Sequence, residues 1–180
     1  RSRKGTNTMT QPEAITRHTL SVLVEDVDGI ITRVTALFTR RAYNLVSLVS
    51  AKTSKEGINR LTVVVDATER SVEQIVKQLY KLIQVLKVQQ LDSDTTVGRQ
   101  LLLVKVTADN QTRPQVVDAA NLFRARVVDV AVDSVVIEAT GESSKLKAFL
   151  EVMDSFGIRE LARSGTVALT RGSKTMTLPD

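Results

Sequence analysis

The chain has 180 residues, of which 42% are hydrophobic and 25% charged, and its formal net charge at pH 7 is +5. It contains no cysteine and one histidine, His18, which excludes disulfides, thiolate metal sites, cysteine nucleophiles and sites built from several histidines. No apolar run approaches the roughly 20 residues of a membrane-spanning helix, and the first residues lack the apolar segment of a signal peptide. We therefore expect a cytoplasmic protein of one ordinary domain or two small ones, without a membrane partner.

The basic charge is concentrated at the beginning of the chain. Residues 1–17 carry a net +3, which leaves only +2 for the remainder. Because the rest is nearly balanced, we expect no nucleic-acid partner. We interpret residues 1–17 as a disordered basic tail, and the origin of the part before Met9 stays open.

The segment 18–91 follows a β-α-β-β-α-β order. The strand HTLSVLVED leads through a turn at Asp26 to Gly29 into GIITRVTALFTRRA, whose apolar residues have helical spacing. Two β-rich runs, YNLVSLVSAK and NRLTVVVDA, flank the turn TSKEGI and predict a hairpin. Apolar residues from Val72 to Leu82 or Ile83 predict a second helix, and QVLKVQQL a final strand.

The same order returns after a predicted linker at residues 92–98. It comprises the strand RQLLLVKVTA, the helix TRPQVVDAANLFRA, the hairpin RVVDVAV and SVVIEAT, the helix SSKLKAFLEVMDSF, and the closing segment IRELARSGTVALT. We predict an α+β fold of two tandem ferredoxin-like βαββαβ units, 18–91 and 99–172, followed by a flexible tail at 173–180. Each unit is expected to hold a four-stranded antiparallel sheet with both helices on one face.

This architecture predicts self-association. Helices on one face leave the other face and the sheet edges to be covered. LTVVVDA and LLLVKVTA are too apolar for edge strands in water. We therefore expect a homo-oligomer formed by sheet pairing, most simply a twofold dimer.

The turn EDVDGIITRV, residues 25–34, resembles part of a calcium-binding loop. If Gly29 were the invariant glycine of an EF-hand, Val24 would occupy the first ligand position and Thr35 the position of the bidentate glutamate. Neither side chain has a carboxylate, so we exclude a calcium site. Two interpretations stay open. Asp26 or Asp28 caps the helix, or the free amides of its first turn bind a small anion such as a carboxylate, with Gly29 allowing close approach.

Other polar residues have ordinary interpretations. Asn44 follows the first helix and by position is a turn residue with an unusual backbone angle. Arg17 and His18 are expected at the surface. Two arginine pairs are either solvated helix ends or contacts to phosphate or nucleic acid: Arg40 with Arg41, and Arg124 with Arg126. The chain has no nucleotide-binding or hydrolase motif.

The segments RHTLSVLVED, GIITRVTALFTRRAYNLVSL, RLTVVVDATERSVEQIVKQLYKLIQVLKV, NLFRARVVDV and FGIRELARSGTVALTRG resemble the small regulatory subunit of acetolactate synthase, also called acetohydroxyacid synthase. The resemblance covers about residues 17 to 172 in the family's order. It implies an ACT domain in the first unit and a C-terminal domain of related topology in the second.

The resemblance also implies a chain that is not itself an enzyme and carries no cofactor. The family's catalytic subunit holds thiamine diphosphate, a divalent metal such as Mg²⁺, and FAD, and works in branched-chain amino acid biosynthesis. The small subunit raises its activity and confers feedback inhibition, usually by valine, and it dimerises through its ACT domains. An ACT-type amino-acid sensor with another partner is the alternative.

The family's effector site falls on residues from two subunits. One would contribute Asp26, Gly29, Ile30 and Ile31, and the other the segment Asn44, Leu45 and Val46. The chain departs from the family's common pattern near this site. Asp28 stands where a proline or serine is usual. The chain reads RRAYNLVS where the family commonly reads RRGYNIES, so Ala42 replaces a glycine and Val46 replaces a glutamate. The identity of the effector amino acid therefore stays open.

Overall fold

The computed structural model describes residues 11–180 as two consecutive units with the same order of elements. The first unit contains β1 (Thr16–Glu25), α1 (Ile30–Arg40), β2 (Asn44–Lys52), β3 (Ile58–Ala67), α2 (Glu69–Tyr80) and β4 (Val85–Leu91). The second contains β5 (Thr96–Thr107), α3 (Arg113–Leu122), β6 (Arg126–Val130), β7 (Ser134–Gly141), α4 (Ser143–Asp154), β8 (Ile158–Arg163) and β9 (Val167–Thr170). No helix within residues 11–180 is long and apolar enough to cross a bilayer.

Each unit forms an antiparallel sheet with the strand order of a ferredoxin-like fold. The first sheet has the order β2-β3-β1-β4, and the second has the equivalent order β6-β7-β5-β8. The predicted α+β fold of two tandem units is therefore confirmed. The second unit has one strand more than expected, because IRELARSGTVALT forms both β8 and β9, and β9 pairs with the first four residues of β5.

Two separate cores lie between the sheets and their helices. In the first unit, alternate residues of β1 and β3 pack against the apolar faces of α1 and α2, with Phe38 and Ile75 fully buried. In the second, β5 and β7 pack against α3 and α4, with Phe149 and Met153 at the centre. The helical periodicity of the sequence thus predicts the buried faces correctly.

The two apolar strands that we expected at the sheet edges lie in the interior of their sheets. β3, which contains LTVVVDA, lies between β2 and β1, and β5, which contains LLLVKVTA, lies between β7 and β8. The part of the argument for self-association that rested on apolar edge strands was therefore wrong. Strands with apolar residues on both faces are typical of positions with neighbours on both sides.

The outer face of the first sheet is also buried within the chain. Ser21 and Thr62 are 0% and 2% exposed, and Leu23 and Val64 beside them are buried as well, although all four point away from the helices. Gly165, in the loop before β9, lies directly against this face, because a Cβ atom there would stand 2.6 Å from Val49 Cγ2. The ribbon formed by β9 and the start of β5 therefore covers the first sheet.

The two predicted tails and the predicted linker contain residues with defined secondary structure or contacts. Residues 1–10 of the expected tail lie outside the described residues, and β1 already begins at Thr16. The expected linker 92–98 contains a short 3₁₀ turn, Ser93–Thr95, and the beginning of β5. In the C-terminal tail, the Sδ atom of Met176 lies 3.8 Å from Nη1 of Arg60 on the first sheet.

Helices α1 and α3 end in the same way. Ala42 and Arg124 have left-handed backbone angles, with φ of 54° and 56°. In both, the next amide donates to a carbonyl five residues back, Tyr43 to Phe38 (3.1 Å) and Ala125 to Ala120 (3.0 Å). These are Schellman motifs, which usually contain glycine at the left-handed position. The internal repeat thus extends to the turn chemistry.

Candidate effector site

The turn from β1 to α1 is held by two hydrogen bonds at Asp26 rather than by a capping side chain. The amide of Asp26 donates to the carbonyl of Gly57 (2.9 Å), and Nδ2 of Asn59 donates to Oδ1 of Asp26 (3.0 Å). Gly29 adopts a left-handed conformation with φ of 81° and directly precedes the helix. Among residues 11–180, no side chain caps α1, so the interpretation of Asp26 or Asp28 as its cap is wrong.

The first helical turn therefore presents free donors. The amide of Ile30 makes a long bond of 3.4 Å to the carbonyl of Val27, and the amide of Arg33 donates to Gly29. Within residues 11–180, the amides of Ile31 and Thr32 have no acceptor. These amides and the helix dipole favour an anion at this position.

The apolar groups around the turn are divided between the core and the surface. Ile30 is buried under the sheet, whereas Ile31 is 37% exposed beside the free amides. A Cβ atom on Gly29 would meet no other atom within 4 Å, so the space in front of this residue is open. A small ligand can approach the backbone here and contact an aliphatic side chain.

The second predicted segment lies at the other end of the sheet. Asn44 begins β2 and its Nδ2 donates to Oδ2 of Asp66 (3.3 Å), so its side chain is already held in place. Its backbone is ordinary, and the left-handed residue is Ala42, so the interpretation of Asn44 as a turn residue with an unusual angle is wrong. Leu45 packs against the core, and Val46 is 42% exposed at a bulge in β2.

One chain cannot bring the two segments together. Asn44 pairs with Asp66, whereas the turn at Asp26 follows the pair of Glu25 with Ile58. Eight residues of β3 separate these positions, or roughly 26 Å at the usual rise of a strand. The structure places all seven predicted residues, and it does not bring the two groups into contact within one subunit.

An ion pair supports the Asn44 end. The guanidinium of Arg17 binds Asp66 in a bidentate arrangement, with Nε to Oδ1 at 2.9 Å and Nη2 to Oδ2 at 3.0 Å. This hydrogen bonding lowers the pKa of the Asp66 carboxyl below its usual value, and the Asn44 amide adds to the effect. Asn44 is therefore oriented by a charged pair that local sequence patterns did not indicate.

His18 is not the surface group that the sequence suggested. It is only 7% exposed, its Nε2 lies 3.1 Å from the carbonyl of Ala67, and its Nδ1 lies 3.1 Å from Nε2 of Gln90. These partners come from β3 and β4, so only the sheet order could have revealed them. Within residues 11–180, no group of three or more His, Cys, Asp or Glu residues could hold a metal ion.

Both units match models of known families. Residues 20–87 match the model described as the AHAS small subunit-like ACT domain, and residues 99–172 match the small subunit of acetolactate synthase. The chain is 50% identical over 157 residues to the acetolactate synthase small subunit of Mycobacterium leprae (strain TN), which covers 87% of this chain and 93% of that protein. The chain belongs to the acetolactate synthase small-subunit family.

The relationship extends to archaea and to a solved structure. A probable acetolactate synthase small subunit of Archaeoglobus fulgidus is 44% identical over 158 residues, covering 88% of this chain and 99% of that protein. The crystal structure of the acetolactate synthase small subunit from Thermotoga maritima has a TM-score of 0.83 at 33% identity, covering 89% of this chain and all of the other. The resemblance inferred from the sequence segments is confirmed.

Proposed function

We propose that this member of the acetolactate synthase small-subunit family is a regulatory subunit that has no catalytic activity of its own. It binds the catalytic subunit, raises its activity and makes it sensitive to feedback inhibition by a branched-chain amino acid, valine. The proposal depends mainly on the match of both units to the small-subunit family over nearly the whole length of its relatives. Thiamine diphosphate, Mg²⁺ and FAD would belong to the catalytic subunit.

The turn before α1 supplies the chemistry for an amino-acid carboxylate. The unpartnered amides of Ile31 and Thr32 are donors that need an acceptor, and the dipole of α1 favours a negative charge. The Asp26 carboxylate would hold the ammonium group, and Ile31 would contact the branched side chain. The effector is thus recognised by backbone, charge and shape together.

A dimer formed through β2 would complete the site. β2 is an edge strand of nine residues, Asn44–Lys52, so a twofold antiparallel pairing would centre on Leu48. Such a pairing sets the partner's Asn44 opposite Lys52. Lys52 pairs with Asn59, whose amide binds Asp26, so the partner's Asn44 would arrive at the end of the sheet where Asp26 lies.

This arrangement provides a route for regulation. An amino acid that contacts both subunits shifts the dimer toward the arrangement that binds it more tightly. A coupling free energy of about 1 to 3 kcal/mol between effector and catalytic subunit would change affinity about 5- to 150-fold. The effector needs no contact with the catalytic centre.

The function is tested by mixing the purified chain with the catalytic subunit from the same source and measuring acetolactate formation with valine, leucine or isoleucine. We expect stimulation by the chain and inhibition by valine. Absence of stimulation would refute the regulatory role. Stimulation without inhibition by any of the three amino acids would retain the partner and remove the feedback function.

The site is tested with Gly29→Ala and a matched control, Gly157→Ala. Both glycines have positive φ, 81° and 101°, so both variants carry backbone strain, but Gly157 lies in the second unit. We expect Gly29→Ala to raise the inhibitory valine concentration at least about tenfold, since the new methyl group enters the space in front of the free amides. Equal effects of both variants would show that strain alone is responsible.

The dimer is tested by sedimentation velocity. We expect a dimer at micromolar concentration, and Leu48→Lys in the middle of β2 should weaken it, because like charges would then meet across the twofold axis. Because Leu48 also packs against the first core, circular dichroism must show that the variant is folded. A stable monomer of the unmodified chain would contradict the shared site.

A further inference from the structure

A large cleft separates the outer face of the first sheet from the ribbon of β9 and the start of β5. Its volume is about 700 Å³, and both units contribute to its walls. We call it the inter-unit cleft. It lies on the face of the first sheet opposite to α1, so it is separate from the turn at Gly29.

The walls of the inter-unit cleft combine aliphatic groups with positive charge. The aliphatic part comes from six residues of both units: Val49, Ala51, Val97, Val167, Ala168 and Leu169. The lining also includes four basic residues and, among the described residues, no acidic one: Lys52, Arg60, Arg99 and Arg171. A pocket of this composition complements a ligand with an apolar body and a negative charge.

Arg60 is the basic group set most deeply in the sheet. It is half-buried, and its Nη1 donates to the fully buried hydroxyl of Ser21 (2.6 Å). Its other neighbour is the thioether of Met176, a weak acceptor. Within residues 11–180, no carboxylate lies within 4 Å of Arg60, Lys52 or Arg171.

A half-buried guanidinium without a carboxylate partner is unusual, because the cost of removing a charge from water is normally offset by an opposite charge. Arginine binds carboxylates through paired hydrogen bonds with defined geometry. The remaining donors of Arg60, together with Lys52 and Arg171, supply that geometry and charge. The fourth cation, Arg99, already has a carboxylate partner, since its Nη1 lies 3.7 Å from Oε1 of Glu142.

We propose that the inter-unit cleft binds an aliphatic monocarboxylate, with its carboxylate at Arg60 and its hydrocarbon chain between β2 and the β5–β9 ribbon. The ligand would bridge the two units of one chain. The proposal is independent of the regulatory function and of the site at Gly29, because it depends only on the lining of this cleft.

The test is a titration of the full chain with hexanoate, observed through ¹³C-labelled methionine methyl groups. Met176 lies at Arg60, and Met153 lies in the core of the second unit and serves as an internal control. The ionic strength is kept constant with sodium chloride, because charge effects depend on salt. We expect a saturable shift of the Met176 signal and no shift of Met153.

Uncharged and short probes separate the two parts of the recognition. Hexan-1-ol, which has the same chain without the charge, should shift Met176 at least about tenfold more weakly. Acetate, which lacks four methylene groups, should also bind at least about tenfold more weakly. Equal binding of hexanol would refute the role of the carboxylate, and equal binding of acetate would refute the role of the apolar wall.

Variants locate the site. Arg60→Gln should weaken hexanoate binding at least about tenfold, and Arg60→Lys, which keeps the charge, should lose less. Lys55→Gln, in the exposed turn between β2 and β3 outside the cleft, removes one charge as a matched control and should leave the affinity unchanged. Ile31→Ala should also leave it unchanged. Weakening by Ile31→Ala, or unchanged binding in Arg60→Gln, would overturn the proposal.

Discussion

Replacing Ala42 by glycine should stabilise this protein, although glycine normally destabilises. Ala42 has φ of 54° at the end of α1, and its Cβ is in the unfavourable position that left-handed angles impose on L-residues. The local hydrogen bonds of Ala42 and Tyr43 to Thr39 and Phe38 hold this conformation in place. Glycine adopts it without steric cost.

The magnitude follows from two opposing terms. A left-handed angle costs a non-glycine residue about 1 to 2 kcal/mol. Glycine adds about 0.4 to 1 kcal/mol of conformational entropy to the unfolded chain, which reduces the gain. The free energy of unfolding should therefore increase in Ala42→Gly by about 0 to 1.6 kcal/mol, with a midpoint of about 0.8 kcal/mol.

The same substitution inside α1 provides a control of opposite sign. Ala36 is in the interior of the helix with ordinary angles, so Ala36→Gly should lower the free energy of unfolding by about 0.5 to 1 kcal/mol. The assay is urea unfolding at one fixed protein concentration, since self-association makes stability depend on concentration. The midpoint should rise in one variant and fall in the other with unchanged slope. A fall in both would refute the left-handed assignment of Ala42.

Three further results are expected. Asp28→Asn should lower the inhibitory valine concentration about two- to fivefold in the acetolactate assay, because it removes a negative charge beside the proposed carboxylate site; an unchanged value would place the carboxylate elsewhere. Thr68→Ala should reduce the free energy of unfolding by about 1 kcal/mol, since the Thr68 side chain accepts from the amide of Ser71 at the start of α2. Circular dichroism in urea would measure this loss. The control is Glu142→Ala, which should not show the loss, because the Glu142 side chain makes no capping bond at the start of α4. Asp66→Asn should lower the urea midpoint at about pH 7. The difference from the unmodified protein should vanish as the pH falls through the lowered pKa of Asp66, because the Asp66 carboxylate then loses its charge. A difference that persists in acid would show that the ion pair is not its cause.

The elements and their order could be predicted because they depend on local periodicity. The helical spacing in GIITRVTALFTRRA marks residues that are indeed buried, among them Ile30 and Phe38. Helix α2 ends at Tyr80, however, and Ile83 is exposed, although an apolar residue there extended the pattern. A pattern identifies a helix better than it identifies the end of one.

The errors concern contacts between distant segments. Whether β3 is an edge strand depends on where β2 pairs, and the burial of His18 depends on Ala67 and Gln90. Neither is encoded by neighbouring residues. At the predicted effector site, the glycine and its helix were foreseeable, but the absence of a cap depends on side-chain orientations that only the structure provides.

The internal repeat suggests two interchangeable halves, and the burial of the first sheet shows why they are not. Ser21, Leu23, Thr62 and Val64 are buried on the face of the first sheet against which the loop at Gly165 lies. If the chain were divided between β4 and β5, the first half would lose this cover and present a partly apolar sheet to water. The first unit could therefore not be transplanted alone into another protein without exposing this face, even though the sequence marks it as a complete repeat.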